Sequence, residues 1–336
     1  MKIVFDQHEQ EIIELDPDFS STRLVTQERP EIFHDLSLQP PHILFLPPSP
    51  KRKGEGGLRT KGFFKQSYHN EPISLIYFPL PLITIVTVVR NGEKYLEKTI
   101  QSVINQTYPN VEYIVIDGDS TDNTLDIILK FEDKIDYWVS EPDRGIADAM
   151  NKGIYLAMGQ LINHLHAGDQ FASESILSDI VSSYNSEGWR WCFGNQDFVD
   201  PSGKVVGCMT PPKYFQKLLH IFNTIPHQTV FWEKSLIQEV GYFDNRYSCA
   251  MDYHLWLRFS KVAGPKQFKY TIANFLLGGR SSDIKLALKE EFQARSEILK
   301  QSPLDLLITV SVALLRYIKR KLRITTFVKY YPSSQE

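Results

Sequence analysis

A mainly parallel α/β sheet with helices on both faces is predicted for this chain by three observations. Between residues 81 and 165, β-rich apolar runs alternate with helical stretches, a pattern that implies right-handed crossovers between parallel strands. The run Ile83-Thr-Ile-Val-Thr-Val-Val89 shows no polar alternation, as expected of a strand covered on both faces. Acidic and polar residues gather just after the expected strands, on the edge where open α/β sheets bind their ligands.

Strands are expected at 83–89, 111–116, 137–139 and 161–165, and helices at 93–105, 122–131 and 146–158. Ser120 or Thr121 is placed to cap the second helix, Asp122 to meet its positive end, and Gly159 to close the third. Further on lie a strand at 189–193, a hairpin through Asp200-Pro-Ser-Gly203, and short helices at 213–221, 234–240 and 251–260. No repeat of solenoid length is present in the sequence.

The 336 residues allow one large domain or two ordinary ones. Residues 1–38 form an acidic N-terminal extension whose short alternating pieces leave a small hairpin or no fold open. Residues 39–80 are rich in Pro, Gly and basic side chains and read as a flexible linker. The α/β domain is expected at 81–285 and a C-terminal helical segment at 286–336. The uncharged stretch 72–89 is broken by Pro72, Pro79 and Pro81, so its second half reads as a strand rather than a membrane helix. Near the C-terminus, the uncharged run 306–315 covers about 15 Å as a helix, too short to cross a bilayer alone. It leads into Arg316, Lys319, Arg320, Lys321 and Arg323, so residues 303–323 fit a helix on an anionic membrane surface, with a helix docked on the domain as the alternative.

Lys and Arg number 37 against 40 Asp and Glu, a net charge of −3, which is not the strongly basic balance of a nucleic-acid binder. Cys192, Cys208 and Cys249 are odd in number and lack CxxC spacing, which disfavours a disulfide framework or cysteine zinc site and fits a reducing compartment. Acidic residues interrupt the N-terminus before an apolar signal core can form, so a cytoplasmic location is expected. A GxGxxG turn is absent after the first strand, against a dinucleotide-dependent dehydrogenase. Gly118-Asp-Ser-Thr-Asp122 lacks the second glycine of a hydrolase nucleophile elbow, and Arg90-Asn91-Gly92 is too sparse for a nucleotidyltransferase loop.

Four strand ends carry the candidate chemistry: Val89-Arg-Asn-Gly92, Ile116-Asp-Gly-Asp-Ser-Thr-Asp122, Ser140-Glu-Pro-Asp-Arg-Gly145 and His164-Leu-His-Ala-Gly-Asp169. Acids converging on one edge repel each other unless a cation or ligand donors compensate, and a few carboxylates completed by phosphate suit magnesium or manganese. Taken singly, Asp117–Asp122 also fits an Asx turn with a helix cap, His164 and His166 fit structural roles, and Asp252 fits the cap of the helix after it.

Several segments carry a resemblance. Ile83-Thr-Ile-Val-Thr-Val-Val-Arg-Asn-Gly, Leu96-Glu-Lys-Thr-Ile-Gln-Ser-Val-Ile-Asn-Gln-Thr-Tyr and Tyr113-Ile-Val-Ile-Asp-Gly-Asp-Ser-Thr-Asp-Asn-Thr occur in order. Glu141-Pro-Asp-Arg-Gly-Ile-Ala-Asp-Ala-Met-Asn-Lys-Gly-Ile, Pro226-His-Gln-Thr-Val-Phe and Met251-Asp-Tyr-His-Leu-Trp-Leu-Arg follow. Over about residues 81–260 the chain resembles family 2 glycosyltransferases with a GT-A fold, most closely the branch that builds bacterial exopolysaccharide and colanic-acid-like units. The resemblance implies an inverting transfer of sugar from a nucleotide-sugar to a hydroxyl of a growing or lipid-linked glycan, helped by Mg2+ or Mn2+. It implies that Asp117 accepts a hydrogen bond from the nucleobase, with Asp119 near and the backbone around Thr87, Val89 and Arg90 lining the pocket. Arg144, Asp148 and Asn151 match the stretch that holds nucleotide and donor sugar, Asp169 the metal carboxylate, and Asp252 the general base. His166, His227 and Arg258 are further candidates for contact with the acceptor or a phosphate. Two positions depart from the family pattern: Gly168 stands where many members have a second aspartate, and Arg90 where many have a tyrosine. A degenerate domain that binds nucleotide or a partner without turnover is the alternative.

Overall fold

A computed structural model of the protein describes residues 2–5, 11–14, 24–30, 43–68, 80–277, 284–299 and 301–328. In chain order the strands are β1 (Lys2–Phe5), β2 (Glu11–Glu14), β3 (Leu24–Thr26), β4 (Gly54–Gly56), β5 (Phe64–Lys65), β6 (Ile83–Val89), β7 (Val111–Asp117), β8 (Tyr137–Ser140), β9 (Leu161–His164), β10 (Gln170–Phe171), β11 (Trp191–Val199), β12 (Val205–Met209), β13 (Phe231–Glu233) and β14 (Lys266–Leu276). The α-helices are α1 (Leu96–Ile104), α2 (Thr124–Lys130), α3 (Ile146–Leu156), α4 (Ile176–Glu187), α5 (Gln216–Leu219), α6 (Lys234–Val240), α7 (Met251–Val262), α8 (Ile284–Ile298) and α9 (Pro303–Val328).

Among the described residues, a ten-stranded sheet runs in the order β10–β14–β11–β13–β9–β6–β7–β8–β4, with β12 paired to β11 beside this path. Its centre is parallel, Ile83 of β6 lying opposite Val111 of β7 and Leu161 of β9. β4, β13 and β10 join antiparallel, so the expected parallel sheet gains antiparallel flanks. The unbroken apolar run of β6 follows from two packed faces. Ile83, Ile85 and Val89 pack with Leu96 and Ile100 of α1, Ile128 of α2 and Ile180 of α4. Val86 and Val88 pack on the other face with Met150 and Ile154 of α3 and Trp256 of α7.

Local signals differ from expectation in detail. Ser120 does not cap α2; its hydroxyl accepts from Asn91 N at 2.7 Å, while Asp122 accepts from Thr124 N at 3.1 Å just ahead of the helix. α3 ends at Leu156, and the Gly159 N–H bonds Thr84 Oγ1 at 2.9 Å instead of closing the helix.

The stretch read as a flexible linker is corrected over residues 43–68; residues 39–42 and 69–79 lie outside the described ones. β4 pairs antiparallel with β8, and Leu44, Leu46, Leu58 and Phe64 are buried. Arg59, 1% exposed, forms an ion pair with Glu112 of β7 and donates to the carbonyls of Leu44 and Leu156, each at 2.9 Å. Composition missed this because one buried arginine and a few leucines anchor what prolines and glycines cannot. The glycines serve close approach: Gly57 sits at φ 99°, where a Cβ would lie 2.7 Å from the Ile135 carbonyl oxygen. Removing one partner of a buried, hydrogen-bonded ion pair typically costs about 3–5 kcal/mol, which makes this strap part of the domain.

In the acidic extension, β1 and β2 pair as an antiparallel hairpin, and β3 and β5 complete a small sheet in the order β1–β2–β3–β5. At the other end α8 is no separate segment. Its Ala294 belongs to the same core cluster as α7, and Glu290 accepts the backbone N–H groups of Cys249 and Ala250, at 2.7 and 2.9 Å, where the chain enters α7.

Candidate active site

The loops after β6 and β7 are laced together. Asn91, held at φ 53°, accepts from Thr121 N at 2.9 Å, and Gly92 N donates to Thr124 Oγ1 at 2.8 Å. Asp117 is fully buried and shapes this turn: it accepts from Ser120 N at 3.1 Å, from Ser140 Oγ at 2.6 Å and from the Ser120 hydroxyl. Both its oxygens are therefore engaged inside the protein, unlike the expected acceptor for a nucleobase. The Thr87 hydroxyl donates to the Leu165 carbonyl at 2.8 Å inside the sheet and the Val89 side chain is buried in the core, so what these two residues offer to the strand end is backbone. Arg90 and Asp119 are the members of this group whose side chains reach the surface; Asp119 stands at φ 64° and pairs with Lys53 Nζ at 2.7 Å.

After β8, Arg144 pairs with Asp148 at 2.7 Å while 79% of its side chain is exposed, which leaves guanidinium donors for an anion. Asp148 is buried and its carboxyl is held below the usual range; burial opposes ionisation, and the Arg144 hydrogen bonds and charge outweigh it. Asn151 departs from its expected donor role. Its amide donates to Phe243 O at 2.8 Å and accepts from Phe243 N at 3.0 Å, locking α3 to the chain before α7.

At the end of β9 the structure gives a reason for the missing second aspartate. Gly168 takes φ 104°, where a Cβ would stand 3.1 Å from Leu276 Cδ2, so an L side chain would be strained and crowded. Asp169, 4% exposed, accepts from Leu276 N at 3.2 Å and from the Gln228 side chain. Burial pushes its carboxyl up to about 7. His166 and His227 stack with ring centroids 4.8 Å apart, and His164 stacks on Trp232 at 5.3 Å. Burial lowers His164 to about 3 and His166 to about 4, and holds His227 well below the ordinary imidazole range. Burial thus favours the uncharged imidazole at all three positions. His166 Nδ1 and both His227 nitrogens are buried without a protein partner.

Asp252 sits in the first turn of α7. Glu290 supplies the cap that Asp252 could have provided, and Asp252 Oδ1 accepts its neighbour Tyr253 N at 2.6 Å. Burial first, and then the nearby Glu291 charge, push the Asp252 carboxyl up to about 7. Arg258 is corrected to a structural role: it donates to the carbonyls of Val240 at 2.6 Å, Gly241 at 3.0 Å and Tyr242 at 2.6 Å, which occupies its guanidinium. The turn at 227–229 touches both neighbourhoods: Gln228 bonds Asp169, and the His227 ring lies 6.0 Å from Trp256 of α7.

Asp244, His254 and Glu297 form a separate cluster, their ligand atoms within 4.8 Å of one another. Arg246 already bridges both carboxylates, donating to Asp244 at 2.6 Å and Glu297 at 2.9 Å, so the cluster is an ion-pair network in this state. Sequence reading overlooked Lys53, Arg52 and Gln228; the triplet Lys51-Arg52-Lys53 inside a Pro- and Gly-rich stretch was the available signal for the first two.

Comparison with known proteins agrees with this architecture. Residues 84–205 match the family described as Glycosyl transferase family 2. The chain is 32% identical over 199 residues to the uncharacterized glycosyltransferase Rv1514c of Mycobacterium tuberculosis, covering 58% of this chain and 75% of that protein. It is 28% identical over 193 residues to the uncharacterized glycosyltransferase RP339 of Rickettsia prowazekii, covering 54% of this chain and 60% of that one. Among solved structures, S. aureus TarS 1–349 in complex with UDP-GlcNAc superimposes with a TM-score of 0.54 at 17% identity, covering 66% of this chain and 67% of TarS. The mannosyltransferase PcManGT of Pyrobaculum calidifontis, in complex with GDP-Man and Mn2+, gives 0.51 at 15% identity over 76% of this chain and 82% of that one. With a GT-A sheet, acids gathered at its strand ends and a relative matched over three quarters of its length, the chain belongs to glycosyl transferase family 2.

Proposed function

We propose that this protein is an inverting glycosyltransferase that moves a sugar from a nucleoside-diphosphate sugar to a hydroxyl of a growing polysaccharide or lipid-linked glycan, of the exopolysaccharide-building kind. The observation that carries this reading is the gathering of polar and acidic groups at the carboxyl ends of β6 to β9, with Arg144 exposed there and Asp169 buried, together with a second carboxyl, Asp252, at the start of α7. Burial pushes both Asp169 and Asp252 up to about 7. Asp252 takes the proton of the acceptor hydroxyl as that oxygen bonds the anomeric carbon. The bond from that carbon to the diphosphate oxygen breaks on the opposite face, which inverts the centre. Arg144 offers its exposed guanidinium to the departing diphosphate. Asp169 and the unpartnered Nδ1 of His166 suit a divalent ion, Mg2+ or Mn2+, which would neutralise diphosphate charge when bound. The test is thermal unfolding with UDP, GDP, dTDP and CMP, each with and without Mn2+. A rise of several degrees with one nucleotide is expected at ligand concentrations near 100 times its Kd. No rise with any of them would overturn the donor reading, and a rise without turnover of the matching nucleotide-sugar would favour the degenerate binding domain.

The acceptor side of this proposal lies at the cytoplasmic face of a membrane, supported by α9. Leu304, Leu307, Leu314 and Leu315 are exposed at 65, 64, 59 and 65%, while Arg316 ties the helix to Glu291 of α8 at 2.5 Å. The side chains of Lys319, Arg320, Lys321 and Arg323 lie outside the described residues. No helix among the described residues is long and apolar enough to cross a membrane, so contact would be at the surface. Deleting residues 303–336 is expected to abolish sedimentation with anionic vesicles, and undiminished binding would sink the membrane claim.

A further inference from the structure

A segment outside the family-matched region reaches the strand-end site. β4 pairs with β8 so that Gly54 lies opposite Ser140, and the residue before it, Lys53, donates its N–H to Ser140 O at 2.8 Å beside the carboxyl end of β8. The Lys53 ammonium then turns onto the loop after β7, donating to Ser120 O at 2.8 Å and pairing with Asp119 at 2.7 Å. Arg52 holds this placement with bonds to Pro47 O at 2.7 Å, Glu55 at 2.7 Å and Glu141 at 3.0 Å. Glu141 is in turn paired with Lys152 of α3 at 2.8 Å. The strap is therefore fastened at both ends, by Arg52 above and by Arg59 below.

An ammonium has three donors, and two of those of Lys53 have protein acceptors while 40% of the side chain is exposed. Its partner Asp119 is one-third exposed and keeps a left-handed backbone that a non-glycine residue rarely adopts. Gly118 beside it lies against the Asp143 carboxylate and the Cβ of Arg90, so the ends of β6, β7 and β8 and the strap meet at this point. Asp117 is engaged internally, and of the polar groups offered here, with Arg90 and Asp143 beside them, Asp119 and Lys53 form a directly bonded pair.

We propose that Lys53 is a donor-binding residue that, with Asp119, recognises the nucleoside part of the nucleotide-sugar. This rests on the donor reading above. An ammonium beside a carboxylate is neutral overall and presents a donor next to an acceptor, which complements a nucleobase imide or a ribose diol and gives a phosphate no net attraction. The sheet order also separates the two ends of a donor: β4 stands four strands from β9, roughly 19 Å at about 4.8 Å per strand, while Asp169 follows β9.

Calorimetric titration of the intact protein with UDP, GDP, dTDP and CDP in Mn2+, then with the matching nucleoside monophosphate, tests this. For the nucleotide that the wild type binds, Lys53→Met is expected to weaken the di- and monophosphate alike, on the order of tenfold, with Lys53→Arg recovering part of the loss. Binding by Lys53→Met within about twofold of wild type overturns the inference and leaves the donor reading standing. A loss seen with the diphosphate alone overturns the nucleoside placement. A wild type that binds none of the four overturns the donor reading and this inference with it. Amine acetylation of the wild type needs no substitution: the bound monophosphate is expected to protect Lys53 and spare Lys51, and equal labelling of Lys53 with and without nucleotide overturns the inference.

Discussion

Asp252→Asn is expected to lower turnover by about 10²- to 10⁴-fold while nucleotide affinity stays within about threefold. Asparagine can keep its carbonyl oxygen as the acceptor for the Tyr253 N–H, so α7 keeps its start; its NH2 then replaces the oxygen that accepted from Asn223, and the side chain can no longer take a proton. Steady-state rates beside calorimetric nucleotide affinity measure both quantities, and comparable losses in both would remove Asp252 as the base. The pH profile supplies a second reading. A base must be ionised to act, and burial together with the Glu291 charge holds Asp252 near 7, so kcat is expected to climb with pH and level off above about 7. A rate flat from pH 5 to 8 would mean that another group accepts the proton.

Asp169→Asn is expected to remove metal-dependent nucleotide binding and, in the free enzyme, to raise stability at alkaline pH. Asp169 titrates near 7 in the folded protein and near 3.9 in an unfolded chain, so the folded state retains a proton that the unfolded state releases. The sign follows: its contribution is most favourable below pH 4 and is lost as pH rises toward 7. A shift of about three units corresponds to at most about 4 kcal/mol. Asparagine carries no charge to bury and can still accept from Leu276 N. Melting temperatures of the metal-free pair should therefore coincide near pH 4 and diverge by several degrees at pH 8, the variant being higher. An alkaline melting point below that of wild type would show that the carboxylate is held by more than Leu276 and Gln228. Retained Mn2+-dependent stabilisation by nucleotide in Asp169→Asn would place the metal elsewhere, and Asp244, His254 and Glu297 would become the alternative to test.

The elements from β6 to β9 were legible in the sequence because local periodicity and burial coincide there. A β-branched run buried on both faces has one comfortable conformation, and the polar residues that follow each such run must lie on the carboxyl edge of the sheet. For the same reason the position of Asp169 could be marked before any contact was known, whereas Asp252, in the first turn of a helix, was marked by the family resemblance alone. Side-chain direction was not legible. Asn151 and Arg258 have the residue type and spacing of ligand contacts, yet each is used by backbone groups distant in sequence, Asn151 by Phe243 and Arg258 by the 240–242 turn.

Residue order alone determined the α/β sheet, the edge on which its chemistry gathers and the family motifs along it, because these depend on neighbours within a few positions. Tertiary structure decided that residues 43–68 are a strap and not a linker, since Arg59 finds Glu112 only when β7 is already in place. It decided as well which carboxylates titrate near neutrality. Burial carries Asp169 to about 7, and burial with the Glu291 charge does the same for Asp252. A carboxyl's proton affinity is set by the groups packed around it, and packing is a property of the folded chain.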